Sequence, residues 1–110
     1  MDIRHLQDQL EKFAAARCWE QYHNPKNLSM ALAVEASELQ EIFQWLTPEE
    51  SLAVKEDSSH AAEEIADVFL YLARIADVLH VDIETAVLEK LSKNGAKYPE
   101  LGSPTTRSLV

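Results

Sequence analysis

Cysteine is nearly missing from this chain. The single residue, Cys18, excludes an intramolecular disulfide and a cysteine-rich zinc site, and it reads as a small helix residue. Glycine is as scarce, with only Gly95 and Gly102, both near the C-terminus, and proline occurs only at positions 25, 48, 99 and 104. So little punctuation leaves long unbroken stretches, which favour helices over many short strands. No run approaches the roughly 18 apolar residues of a membrane span. The opening MDIRHLQDQLEKF is too charged for a signal peptide, so the expected location is the cytoplasm. Basic excess is missing too. The formal net charge of −9 argues against nucleic acid as a partner, because phosphate-gripping proteins need basic patches. It leaves a nucleotide open, since a carboxylate-held cation can bridge an acidic protein to an acidic ligand.

What is present is a chain of one domain's length, 110 residues, with 46% hydrophobic content. A domain of this size buries roughly two-thirds of its unfolded surface, enough for a thin core. The expected first helix runs from about Asp2 to Tyr22, with Ile3, Leu6, Leu10, Phe13, Ala14 and Arg17 on or near one stripe. His23-Asn24-Pro25-Lys26 breaks it. A second helix is expected from about Asn27 to Leu46. Thr47-Pro48-Glu49-Glu50 then reads as an N-cap, a first-turn proline and a capping glutamate, starting a short helix from Pro48 to Val54. Lys55 to Ser59 reads as a polar linker. A third long helix runs from about Ser59 to Leu79, and a fourth, capped by Asp82, to about Ala96. Residues 99–110 read as a mobile tail beyond a domain of residues 1–98. In the third helix, Asp67 is the only charged residue of IADVFLYLA. A helix apolar all round must be surrounded, and three other helices do not suffice, so the pattern predicts an all-α four-helix bundle completed by oligomerisation.

Two acidic pairs stand out. Glu35 and Glu38 share one helix face, as do Glu64 and Asp67, and both pairs lie in otherwise apolar sequence. Buried like charges repel unless a cation lies between them. A set of four carboxylates, with no His or Cys among them, suits a hard ion, Mg²⁺ or Mn²⁺. The alternative is a pair of solvated acidic faces. Glu41 and Glu63 extend the pairs as further ligands, a general base or surface residues. Lys90, Lys93 and Lys97 form a basic stripe that either complements the helix dipole or grips phosphate. Trp19 and Trp45 either stack on a base or pack against neighbours, and His23 reads as a turn residue.

Several segments then fall into a familiar order: Trp19-Glu20-Gln21-Tyr22-His23, Pro25-Lys26-Asn27-Leu28, Glu35-Ala36-Ser37-Glu38 through Phe43-Gln44-Trp45, Glu63-Glu64-Ile65-Ala66-Asp67-Val68 through Tyr71-Leu72, Val81-Asp82, Lys93-Asn94 and Lys97-Tyr98-Pro99. Over about residues 5 to 99 the chain resembles the MazG-like all-α nucleoside-triphosphate pyrophosphatases, most closely their dCTP pyrophosphatase branch. The resemblance implies a helical bundle forming a dimer or a tetramer, and hydrolysis of a (deoxy)nucleoside triphosphate, dCTP or a modified dNTP, to the monophosphate and pyrophosphate. It implies Mg²⁺ on Glu35, Glu38, Glu64 and Asp67, with Glu38 or Glu41 as the base. It brings Trp19 and Trp45 to the base with Tyr71 near the same pocket, and Asn94, Lys97 and Tyr98 to the phosphates or sugar, and it makes His23 and Lys93 further substrate-binding residues. The chain departs from the animal dCTP enzymes at Gly95 and Ala96, where they carry basic residues, at Leu10, where they carry a pocket His, and in a shorter connection from Leu46 to Ser59. These departures bear on the choice of base. Two other classes compete: a non-catalytic helical interaction module, and a di-iron carboxylate bundle. The latter calls for Glu-x-x-His on two helices; this chain does not carry that motif twice, and Asp57-x-x-His60 starts in the polar linker.

Overall fold

The structure, a computed structural model, describes residues 1–101. Positions 102–110 of the expected tail lie outside the described residues. Five α-helices follow one another: α1 (Ile3–Ala16), α2 (Pro25–Phe43), α3 (Pro48–Ala53), α4 (Ser59–Val78) and α5 (Ile83–Lys97). Short 3-10 turns occupy Glu20–Tyr22 and Val54–Asp57, and the described residues contain no strand. The class is all-α, as the sparse Gly and Pro implied. No helix among the described residues is long and apolar enough to cross a membrane.

Four helix starts are set by side chains. Asp2, Asn24, Thr47 and Asp82 each accept a hydrogen bond from the backbone N–H three residues on, at 3.0, 2.9, 3.1 and 3.0 Å. At Thr47 the box closes, because Glu50 accepts from the Thr47 N–H at 2.9 Å. Asn24 and Pro25 form the same cap-and-proline signature, so α2 begins at Pro25 rather than at the expected Asn27. The expected linker 55–59 is instead a 3-10 turn leading into α4.

The stop of α1 differs most from expectation. The helix ends at Ala16 and not at Tyr22, because Cys18 adopts a left-handed backbone with φ 58°. The Trp19 N–H then bonds to the Ala14 carbonyl at 2.9 Å and the Cys18 N–H to Ala15 at 3.1 Å, which is the Schellman arrangement. The same motif ends α4, with His80 at φ 57°, the Val81 N–H on Ala76 at 2.8 Å and the His80 N–H on Asp77 at 3.1 Å. α2 stops at Phe43, leaving Gln44, Trp45 and Leu46 in a turn.

α4 is the hub. It packs chiefly against α2 and, over less of its length, against α1, whereas α5 makes no comparably extended packing. The buried apolar residues are mostly small: Ala14, Leu28, Ala61, Ala73 and Ala76. Small side chains let helices approach closely but fill little volume. Gln7 on α1 is buried with them and donates Nε2–H to the Ala73 carbonyl at 2.9 Å. Arg4 bridges the same two helices through Asp77 at 2.9 Å.

Candidate active site

The α2–α4 contact brings the two acidic pairs together. Carboxylate oxygens of Glu35, Glu64 and Asp67 all lie within 4.8 Å of one another, and Glu38 stands beside both glutamates. Burial first, then Glu38 next to it, holds the Glu35 carboxyl above the ordinary carboxylate range. Glu64 is raised by the same causes in the same order, with His60 opposing the rise. One oxygen of each, Oε2 of Glu35 and Oε2 of Glu64, is buried without a hydrogen-bond partner. Orphaned carboxylate oxygens in an all-oxygen cluster are what a hard divalent cation satisfies, so these residues fit such an ion. His60 stands in the first turn of α4, where its Nε2 is 3.4 Å from Glu64 Oε1. Glu41 joins Glu38, Ile42, His60 and Glu64 around an open depression beside the cluster.

On the other side lies a pocket of about 210 Å³, mostly apolar, lined by Leu10, Phe13, Trp19, His23, Leu28, Glu35, Asp67, Leu70, Tyr71 and Arg74. The turn that stops α1 is what swings Trp19 into this wall, edge-on to Phe13 with ring centroids 5.7 Å apart. Arg17 caps the outer face of Phe13, its guanidinium carbon 3.4 Å from the ring centroid. Three residues expected at the substrate, Trp19, His23 and Tyr71, therefore meet beside Glu35 and Asp67. Trp45 does not join them; it lies in the turn after α2, 87% exposed. Lys93, Asn94, Lys97 and Tyr98 stand near the end of α5 and line neither of these hollows.

Arg74 is the pocket residue that sequence reasoning missed. Its Nε–H donates to His23 Nδ1 at 3.2 Å, and its Nη1 lies 3.4 Å from Asp77 Oδ2. The side chains of Arg74 and Asp77 are each only 11% exposed. An arginine within an apolar helical run carries no spacing signal of its own.

Within this all-helical fold a cluster of carboxylates on two facing helices lies against a pocket with aromatic walls, a donor set that fits a hard cation beside an organic ligand. The family model described as MazG-like matches residues 30–106, and the chain belongs to the MazG-like family. It is similar to dCTP pyrophosphatase 1 of Rattus norvegicus, 41% identical over 101 residues, and to that of Homo sapiens, 42% identical over 108 residues. Each match covers 89% of this chain, which spans 58% of the length of these curated relatives. Among solved structures it is similar to a pyrophosphatase from Archaeoglobus fulgidus, with a TM-score of 0.85 and 38% identity, covering 91% of this chain and 94% of that one.

Proposed function

We propose that the chain hydrolyses a (deoxy)nucleoside triphosphate, dCTP or a modified dNTP, to the monophosphate and pyrophosphate, with Mg²⁺ on Glu35, Glu38, Glu64 and Asp67. The observation that carries this reading is the pair of buried, unpartnered oxygens of Glu35 and Glu64 beside an aromatic pocket. The pyrophosphatase activity for which the relatives and the archaeal protein are named supports the reaction class.

A bound divalent cation supplies charge neutralisation for the triphosphate and acidifies a water. The chain's own residues do the rest. Trp19 and Tyr71 offer ring faces to the base. Glu38, or Glu41 beside it, takes the proton of the water that attacks the α-phosphorus. Positioning and charge stabilisation, rather than covalent work by the protein, dominate such a reaction.

On this reading the chain acts as a homo-oligomer, a dimer or a tetramer, in which a second copy brings Lys93, Asn94, Lys97 and Tyr98 to the phosphates and Trp45 to the nucleoside. The shape supports it: the radius of gyration is 17.2 Å, against about 13 Å for a compact domain of this length. So does α5, whose Val87, Leu88 and Leu91 are all more than half exposed. The location inferred for a nucleotide-pool enzyme is the cytoplasm, with neither nucleic acid nor membrane as a partner.

A pyrophosphate-release assay over canonical and modified (d)NTPs, with Mg²⁺ and with chelator, tests the proposal. Metal-dependent release of pyrophosphate and monophosphate in equal amounts is the expected result. No release from any member of the panel overturns it.

A further inference from the structure

His23 sits at the entry to α2, fixed from both sides. Its N–H bonds to the Glu20 carbonyl at 3.1 Å, and the next residue, Asn24, is the N-cap. Its ring forms part of the pocket wall near Trp19, with centroids 6.3 Å apart. Arg74 Nε–H points at its Nδ1. Arginine is always protonated and has no acceptor, so Nδ1 must be the bare, accepting nitrogen and the single ring proton must lie on Nε2. A proton on Nδ1 would face the guanidinium N–H head-on. Burial, and then the positive Arg74, also hold His23 below its ordinary pKa, in keeping with a neutral ring.

Arg74 is itself held. Its Nη1 faces Asp77 Oδ2 at 3.4 Å, while Asp77 Oδ1 accepts from Arg4 Nη1 at 2.9 Å. A chain of charge-assisted contacts thus runs from α1 through α4 to the His23 ring. Nε2–H has no partner among the described residues. His23 and Arg74 together give this stretch of the pocket hydrogen-bond donors and no acceptor. The carboxylates that also border the pocket, Glu35 and Asp67, are committed to the cation on the reading above.

We propose that His23, locked by Arg74 as the Nε2–H tautomer, is a specificity-determining donor that reads an acceptor edge of the nucleobase, with Arg74 as its positioning residue. Cytosine presents two adjacent acceptors, N3 and O2. Uracil presents an N3–H donor where cytosine presents N3, so it sets donor against donor. The inference rests on the pyrophosphatase reading and deepens it by naming the residue that sorts bases.

Two measurements test it on the full chain. Long-range proton–nitrogen NMR of the imidazoles is expected to show His23 at neutral pH with Nε2 protonated and Nδ1 bare, and to show both tautomers in Arg74→Met. A ring protonated on Nδ1, or a cationic ring, in the wild-type chain overturns the proposal. Calorimetric titration in Mg²⁺ with non-hydrolysable α,β-imido dCTP and dUTP is expected to give a cytosine preference of about tenfold or more, lost in His23→Phe. Equal affinity of the wild-type chain for both analogues, or a preference that survives in His23→Phe, overturns the proposal and leaves the pyrophosphatase reading standing. Binding of neither analogue by a chain whose His23 shows the expected tautomer overturns the pyrophosphatase reading and the base-reading role with it.

Discussion

Glu35 and Glu64 hold their protons more tightly in the folded chain than an unfolded carboxylate does, chiefly because burial disfavours their charge. Their contribution to stability is therefore fully present below the ordinary carboxylate range and lost as pH rises through the folded pKa. In chelator, the chain is expected to melt higher at mildly acidic than at neutral pH, and Glu64→Gln should flatten that slope. Mg²⁺ at neutral pH should restore stability to the wild-type chain, by about 2.7 kcal/mol at 100 times its Kd, and much less to Glu64→Gln. Circular dichroism melts read both effects, and a wild-type profile insensitive to pH and metal would remove the metal site. Glu38→Ala and Asp67→Ala should each lower kcat/KM by more than about 100-fold, since losing even the groups that support metal ligands costs 10–100-fold. Helical content should stay near wild type, and near-normal turnover in both variants would dispose of the mechanism. These carboxylates were legible in the sequence because a spacing of three on an apolar helix is unusual. The Arg74–His23 contact was not, because it joins residues 51 apart that only the folded chain brings together.

The helix starts were legible where a short polar capping residue stood just before the helix, as at Thr47-Pro48 and Asp82. Asn24-Pro25 carried the same signature, but His23 and Lys26 around it made the segment look like a break. The helix stops were harder, because glycine is the usual mark of a Schellman turn and here Cys18 and His80 take that place. A side chain in the left-handed region costs about 1–2 kcal/mol, part of which glycine gives back through its freer unfolded state. Cys18→Gly and His80→Gly are each expected to stabilise the chain by about 1 kcal/mol, and additively, because they end different helices. Asn24→Ala should cost about 1 kcal/mol by removing a cap. Denaturant midpoints measure all three. A loss of stability in either glycine variant would show that its side chain makes a compensating contact.

The accessible surface of the single chain is 8729 Å², against roughly 6,100 Å² for a folded monomer of its mass. Among the described residues no large side chain is fully buried, while Ile65 and Leu72 on the hub helix are 56% and 45% exposed. The run IADVFLYLA signalled in the sequence that one chain cannot cover this helix, and within one chain it stays partly uncovered. What the sequence could not convey is that α5, read as the fourth member of a bundle completed by oligomerisation, would pack so little against the other helices of its own chain. Its apolar positions repeat at helical spacing whether their partner is the same chain or another. Leu91→Asp is accordingly expected to shift the chain towards monomer in light scattering and to lower pyrophosphate release by tenfold or more, in line with the effect of misplacing positioning groups by about 1 Å. An unchanged mass would move the contact surface away from α5.

A core of alanines is smooth, and smooth helices can slide. Along the α1–α4 seam, Ala14, Ala73 and Ala76 offer few knobs to interlock, so side-chain shape alone fixes the offset of one helix on the other only weakly. Gln7 breaks that near-degeneracy. Displaced by a turn, its amide would leave the Ala73 carbonyl and lie unsatisfied in the interior, at about 1–3 kcal/mol. This buried amide thus acts as a vernier mark. It adds little to the energy of the aligned state and penalises the misaligned ones, and the alignment it selects is the one in which Arg4 meets Asp77.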